Sequence, residues 1–422
     1  MAKRRKRRLK WKRIFICLIL LILIIGGIIY LFKNIVLNKD KDTYDNKKKK
    51  IEVVDKDDDK DKSYKATMIM VGDNIIHESV FKDALKNGNN STYDFKPMYE
   101  LVKPIISSYD IAYVNQETVL GGRELGVRGY PNFNSPQEVG DDLIDTGFNL
   151  FSLATNHLMD SGVSSVKSQR EYFDSKKDVL AVGSYMSMDA RNKVEIREVN
   201  NIKYTMLNYT YGVNGNSVSE EYLVNIWPTS NLNSNVSKSI VDNDTKYQNY
   251  KEQVKKDIDS VRDKVDVLIV AMHWGVEYAS MPTEYQKDAA EFLASNGVDI
   301  VVGTHPHVIE PVTWIDDTLV IYSLGNFLSS QYKTDYYNKV VGLMTNLEIN
   351  KDKDGNISID NVCNELTFTY YEDVGNDLRG NIKIIPFSKM TSEYLTDYKN
   401  VYDTYKKVVQ SMNSDMCVKE SN

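Results

Sequence analysis

Five histidines make up the whole imidazole content of this 422-residue chain, and each stands where a short apolar run gives way to polar or glycine-rich residues. His77 closes the stretch VGDNIIH (71–77), and His157 follows the run 148–154 within Thr155-Asn156-His157. His273 follows the run 267–272, and His305 and His307 follow 298–303 as Thr304-His305-Pro306-His307. Oxygen-bearing side chains keep them company: Asp73 after 67–72, and Asn115-Gln116-Glu117 after 111–114. A single histidine in such a place is ordinarily a structural hydrogen-bonding group. All five in equivalent places point to one metal-binding site. Imidazole and oxygen donors without thiolate suit Mn, Fe, Zn or Mg rather than a structural zinc knot.

The elements that must position these residues are legible from the same runs. They are rich in Val and Ile and read as buried strands, with 319–324 ahead of Gly325-Asn326-Phe327 as one more. Helical stretches are predicted between them at 162–175, 247–264 and 284–296. Strand–helix alternation argues for an α/β fold, in which ligands gather beyond the carboxyl ends of the strands. Those ends are where the histidines fall.

Composition narrows the function. Residues 1–62 hold 19 basic and 9 acidic residues of the chain's 53 and 59, so the remainder has 34 and 50, a net of −16. An acidic domain lacks the basic footprint that a phosphate backbone requires, which excludes a general nucleic-acid-binding role. Of the three cysteines, Cys17 lies in an apolar run and Cys417 in the tail; with Cys363 they show neither the local, even spacing of a disulfide framework nor that of a zinc knuckle.

Residues 1–13 carry nine basic residues and no acidic one, and 14–32 are 19 residues without a charge. At ~1.5 Å per residue such a helix crosses a hydrocarbon core of ~30 Å. The basic flank stays inside, and no small-x-small cleavage site follows. The expectation is a single-pass anchor in the cell membrane, with a cytoplasmic N-terminus and an extracellular main domain. Residues 33–64, rich in Lys, Asp and Asn, read as a charged, disordered linker. The main domain is expected over 65–390. In 391–422, Leu395, Tyr398, Val401, Tyr402, Tyr405, Val408, Val409 and Met412 form one helical face that should pack on it.

The segments VGDNIIH (71–77), NQET (115–118), SLATNHLMDSG (152–162), AMHWGVEY (271–278), VVGTHPHVIEPV (301–312) and YSLGNF (322–327) occur in this order, with FNSP (133–136) and YTYGVNG (209–215) between them. Together they resemble the capsule-synthesis CapA family, the poly-γ-glutamate capsule proteins, a family similar to calcineurin-like metallophosphoesterases. The resemblance covers roughly 65–330. It implies an α/β fold of metallophosphoesterase-like type, a layered β-sandwich flanked by helices, behind the N-terminal transmembrane helix. It also implies two divalent metal ions clamping a phosphoester.

Carried over residue by residue, the resemblance makes Asp73 the first-motif carboxylate ligand and Glu117 the bridging carboxylate. Asn156 becomes an amide ligand, and His157 the general acid, with Asp160 orienting it. His273 and His305 become ligands of one ion and His307 of the other. Two departures stand out. The superfamily's first motif is usually Asp-x-His, but position 75 is Ile and His77 stands two residues later as the replacement. The second motif usually carries Asp, where this chain has Glu117.

The loop 121–136 sets Arg123 and Arg128 among glycines, where they suit either clamping of an anionic substrate group or plain solvation. Segment 211–246 reads as a flexible lid or a plain insertion. The expected function is a hydrolase of phosphoester type in the synthesis or export of an anionic cell-surface polymer, alongside membrane-embedded synthesis partners. The alternative is a non-catalytic, metal-dependent binding factor for export of that polymer.

Overall fold

The computed structural model describes residues 62–231, 233, 235–331 and 337–422; the expected basic segment, anchor and nearly all of the linker lie outside them. Among the described residues, no helix is long and apolar enough to cross a membrane. From Ser63 to Asn422 the chain forms one compact unit.

The chain builds half of one sheet, then a second sheet, then returns to finish the first. Strands β1 (Tyr64–Asn74), β2 (Ile111–Gln116), β3 (Leu150–Ser152) and β4 (Leu180–Val182) pair in parallel. The second sheet contains β5 (Arg197–Val199), β6 (Ile202–Thr210), β7 (Val267–His273), β8 (Ile300–Thr304), β9 (Val312–Ile315) and β10 (Thr318–Ile321), in the order β5-β6-β7-β8-β10-β9. Its four middle strands are parallel, and its edge strands antiparallel. The return adds β11 (Asn326–Leu328) beside β1, the antiparallel run β12 (Val341–Lys351), β13 (Ile357–Gly375) and β14 (Leu378–Pro386), and β15 (Cys417–Val418) beside β13.

Side-chain alternation along the strands explains the layering. Side chains two apart share a face. Met68 and Met70 of β1, Ile111 and Tyr113 of β2, Val267, Ile269 and Ala271 of β7, and Ile300 and Val302 of β8 all join one cluster between the sheets. The intervening Ile69, Val71, Ala112 and Val114 face outward onto helices α1 (Glu78–Asn87), α2 (Glu138–Thr146) and α3 (Gly162–Asp174). On the other side Leu268, Val270 and Val301 pack beneath α4 (Thr245–Asp259) and α5 (Glu284–Ser295). The result is helix, sheet, sheet, helix: the expected layered sandwich flanked by helices. Both faces of each parallel sheet are covered, which is why its strands read as continuous apolar runs.

The tail packs on the domain: Val401, Tyr402, Tyr405 and Val409 of helix α6 (Tyr398–Val409) join the inter-sheet core. One expectation needs correction, because the cysteines do form a disulfide, between Cys363 and Cys417. These residues are 54 apart in sequence and become neighbours only through the β13–β15 pairing, a contact that local spacing cannot reveal.

Candidate metal centre

The inter-sheet layer turns polar at the carboxyl ends of its strands. Following the inward-facing alternation past the last apolar residue leads to Asn115 on β2, Ser152 on β3, Asn208 on β6 and His273 on β7. Asp73 is the exception, because alternation from Ile69 and Val71 would turn it outward. A register shift between Val71 and Asp73 places Val71 opposite Val114 but Asp73 opposite Asn115. One extra residue in the strand re-aims its end, as a β-bulge does. That residue is Gly72, where a Cβ would lie 1.8 Å from the carbonyl oxygen of Gly325. The Asp73 amide donates to the same carbonyl at 2.9 Å.

The two sheets then meet side chain to side chain. Among the described residues, one group of histidines and carboxylates has its donor atoms mutually within 4.8 Å: Asp73, Glu117 and His307. His307 Nδ1 lies 3.2 Å from Asp73 Oδ2, and its Nε2 lies 3.6 Å from Glu117 Oε1. Asn115 donates to Asp73 Oδ1 at 2.8 Å, and the His305 amide to Asp73 Oδ2 at 3.2 Å. His273 Nε2 is 3.0 Å from Asn156 Oδ1, and its Nδ1 is 3.0 Å from Thr304 Oγ1. The His273 and His305 rings are 4.9 Å apart, and those of His305 and His307 5.7 Å. Both histidines of the Thr-His-Pro-His turn take left-handed backbone, φ 95° at His305 and 59° at His307. Such conformations cost ~1–3 kcal/mol each and persist where surrounding structure imposes them.

His157 projects its Nε2 to 3.9 Å from Glu117 Oε1, while its Nδ1 meets Asp160 Oδ2 at 2.6 Å. Phe133 of the Phe-Asn-Ser-Pro segment packs edge-on against it at 4.8 Å, and its amide donates to the same Asp160 oxygen. Asp160 thus holds both the ring and the loop that walls it.

The donor set passes a test for metal. Both carboxylate oxygens of Glu117 and the Nδ1 of His305 are buried without a hydrogen-bond partner, an arrangement that costs ~1–3 kcal/mol or more per group unless something else satisfies it. Burial raises Glu117 well above the usual carboxylate range, against the pull of His307 and with repulsion from Asp73. Burial, aided by neighbouring imidazoles, lowers His273 and His305 well below the ordinary histidine value, leaving them neutral with lone pairs to offer. Burial alone would lower His307 too, but the carboxylates of Glu117 and Asp73 push it up to about 9. A proton is kept where two buried carboxylates need a cation, and a divalent ion fits the same need.

Not every expected residue joins the group. His77 starts α1, accepts a long 3.4 Å bond from the Ser330 amide and sets its ring against Phe133 at 5.5 Å; burial and nearby His307 lower it to about 3. It stands beside the Asp73–Glu117–His307 cluster rather than in it. The two arginines separate. Arg123 is tied to Glu138 at 2.5 Å, Ser91 O, Thr92 Oγ1 and the Tyr93 ring. Arg128 reaches Ser161, the neighbour of Asp160, at 2.6 Å.

Other contributors were in plain view without an assigned role. Asn115 opens the Asn-Gln-Glu-Thr segment, and Asn326, whose Oδ1 is 3.1 Å from His307 Nδ1, begins β11. Tyr211, its ring tilted against His305 at 4.6 Å, and Asn214, beside Asn156 and His157, come from the segment read as a lid or insertion.

The family described as bacterial capsule synthesis protein PGA_cap matches residues 67–331. The chain belongs to that family. The matched span holds every residue of the centre, from Asp73 to Asn326. The PGA biosynthesis protein CapA of Bacillus subtilis (strain 168) is 26% identical over 264 residues, 62% of this chain and 62% of that one. The capsule biosynthesis protein CapA of Bacillus anthracis is 25% identical over 271 residues, 63% of this chain and 60% of that one. The chain therefore spans about three fifths of the length of these relatives. Among solved structures, a novel phosphatase from Mycoplasma pneumoniae aligns at a TM-score of 0.41 and 13% identity, covering 81% of this chain and 100% of that one, too distant to inform the chemistry.

Proposed function

We propose that this protein is a metal-dependent phosphoester hydrolase, held at the outer face of the cell membrane, that serves synthesis or export of an anionic capsule polymer such as poly-γ-glutamate. The observation that carries the reading is Glu117: a fully buried carboxylate with no hydrogen-bond partner, facing His307 from one side and His157 from the other. Asp73, Glu117, Asn156, His273, His305 and His307 would hold two divalent ions, which supply Lewis-acid stabilisation of attacking and leaving oxygens when bound. His157 supplies the proton. Asp160 accepts from its Nδ1, which fixes the tautomer and aims Nε2 at the centre, where it protonates the departing oxygen. Arg128, at the rim, binds a negative group of the substrate.

The location rests on separate features. Nine basic residues precede 19 uncharged ones, and the Cys363–Cys417 disulfide belongs to an oxidising compartment. A reporter fused to the C-terminus is expected to be active only outside the cytoplasm, and cytoplasmic activity would overturn this orientation.

The chemistry is tested by purifying the full chain, measuring its metal content, and assaying generic phosphomonoesters and phosphodiesters with Mn²⁺. His157→Ala is expected to lower turnover by ~10²–10⁴-fold, the range for a general acid, while metal content stays unchanged. A protein that neither retains nor takes up metal would sink the proposal. The second reading, a metal-dependent binding factor without turnover, is favoured by one observation: buried Ile75 occupies the position of the usual first-motif histidine, and His77 stands apart. Metal retention with no turnover on any ester would select it.

A further inference from the structure

Residues 211–226 form a closed loop, neither a loose lid nor a passive insertion. A bridge between Thr210 and Ile226 shuts its base, and the Tyr211 amide donates to the carbonyl of His273, fastening its start to the end of β7. Val213, Leu223 and Val224 bury themselves against Val119, Ala154, Leu158, Met159 and Val166, giving the loop a small core of its own. Its tip reverses direction at Asn214 and Gly215, both left-handed at φ 51° and 74°. This turn delivers the Asn214 amide between Asn156 and His157: Asn156 Nδ2 donates to Asn214 Oδ1 at 3.2 Å, and Asn214 Nδ2 packs 3.3 Å from His157 Nδ1 without bonding it, because the Nδ1 proton goes to Asp160. The Tyr211 hydroxyl also lies beside the Asn156 side chain.

The two ends of a carboxamide have nearly the same shape, and only their neighbours decide which way it faces. The nitrogen of Asn156 has an acceptor in Asn214 Oδ1. Its oxygen is thereby turned toward His273 Nε2, 3.0 Å away, on the side of the imidazole cluster. We propose that Asn214 is a positioning residue, which orients the Asn156 amide so that its oxygen, not its nitrogen, is offered to the metal. The proposal rests on the reading of this centre as a metal site.

Asn214→Gly is the informative variant, because glycine keeps the left-handed turn while deleting the amide. Mn²⁺ alone is titrated into the purified full chain, and free Mn²⁺ is followed by electron paramagnetic resonance. Four proteins are compared: the natural chain, Asn214→Gly, Asn156→Ala and the double variant. Asn214→Gly is expected to weaken Mn²⁺ binding by ~10–100-fold, as loss of a ligand-orienting partner does. In the Asn156→Ala background the same change should matter by less than about twofold, since the residue it acts through is gone. Tyr211→Phe, which leaves the backbone untouched, should weaken binding in the same background-dependent way and decides the matter if Asn214→Gly does not fold. Unchanged affinity, or an equal loss in both backgrounds, would overturn the positioning role while leaving the metal centre intact. A natural chain that binds no Mn²⁺ would remove both.

Discussion

The first sheet brings oxygen to the centre and the second brings nitrogen. Asp73 lies at the end of β1, and Glu117 and Asn156 follow β2 and β3, whereas His273 ends β7 and His305 and His307 follow β8. The two sides meet their physical demands differently. On the oxygen side the backbone needs one bulge, but Glu117 is buried with no protein group to satisfy it. On the nitrogen side His273 is neutral and hydrogen-bonded to Thr304 and the orphaned Nδ1 of His305 is uncharged, but the turn that presents its neighbours holds two non-glycine residues in left-handed conformation. One side is electrostatically incomplete and the other is conformationally strained. Metal should therefore matter most to the stability of the first, and backbone chemistry to that of the second.

The largest effect is expected at Glu117. At a Mn²⁺ concentration ~1,000 times the dissociation constant, the natural chain should gain ~4 kcal/mol in denaturant unfolding. Glu117→Leu should lose essentially all of that gain. In chelator it should instead be more stable than the natural chain by ~1–3 kcal/mol, because an unsatisfied buried carboxyl has been replaced by an apolar group. If the variant keeps the Mn²⁺-dependent gain, the oxygen side is not where the ion resides, and the contrast between the sides collapses.

Next comes a buried acid that supports the nitrogen side. Glu310, three residues after His307, is fully buried and accepts from Gln286 Nε2 at 2.6 Å, while Gln286 also closes the capping box of α5 with Thr283. Burial pushes it up to about 8, against the Gln286 bond that lowers it. With an unfolded-state value of ~4.3, the folded state binds the extra proton between the two. Its contribution to stability is complete below ~pH 4, declines as pH rises, and is lost above about 8. Glu310→Gln, a mimic of the protonated acid, should flatten the fall in stability between pH 5 and 9 by on the order of 3 kcal/mol. Equal slopes for the two proteins would show that this acid does not titrate in the fold.

The strain on the nitrogen side predicts a smaller difference. His305→Gly and His305→Ala both remove the ring, but only glycine relaxes at φ 95°. In chelator the glycine variant should be the more stable by ~1 kcal/mol. Equal stability would mean that the turn is not strained.

How much of this was legible in sequence follows from the same physics. Strands buried on both faces announce themselves as apolar runs, so β1, β2, β3, β7, β8 and β10 and the helices α3, α4 and α5 were readable, whereas β4, β6, α1 and α2 were not among the expected elements. The polar residues that end those runs marked the centre. The bulge that re-aims Asp73 was not readable, because it depends on Gly72 meeting Gly325 from a distant turn. The β12–β13–β14 meander escaped notice because its half-exposed strands lack the continuous apolar signal, and the Cys363–Cys417 bond is a product of that meander. Asn214 and Tyr211 were hidden for a different reason: a polar loop that folds onto a site looks, residue by residue, like one that does not.

The loop after β2 allows a last test on the oxygen side, where two arginines that look alike in sequence have different surroundings. Three N–H groups of the Arg123 guanidinium go to Glu138, Ser91 and Thr92 and its face lies on Tyr93, so it is tied down and its charge is neutralised locally. Arg128 bonds a neutral hydroxyl, Ser161, one residue from the Asp160 that orients His157. Arg128 is exposed, so solvent and salt screen it and its effect on binding should be modest. Arg128→Ala is expected to raise KM for an anionic ester by a few-fold, ~1 kcal/mol or less, with the effect shrinking at high salt. Arg123→Ala should leave KM within about twofold and instead cost a few tenths of a kcal/mol in stability, through the lost ion pair and ring contact. A KM effect at Arg123 equal to that at Arg128 would mean that the substrate reaches across the whole loop, beyond its Asp160 end.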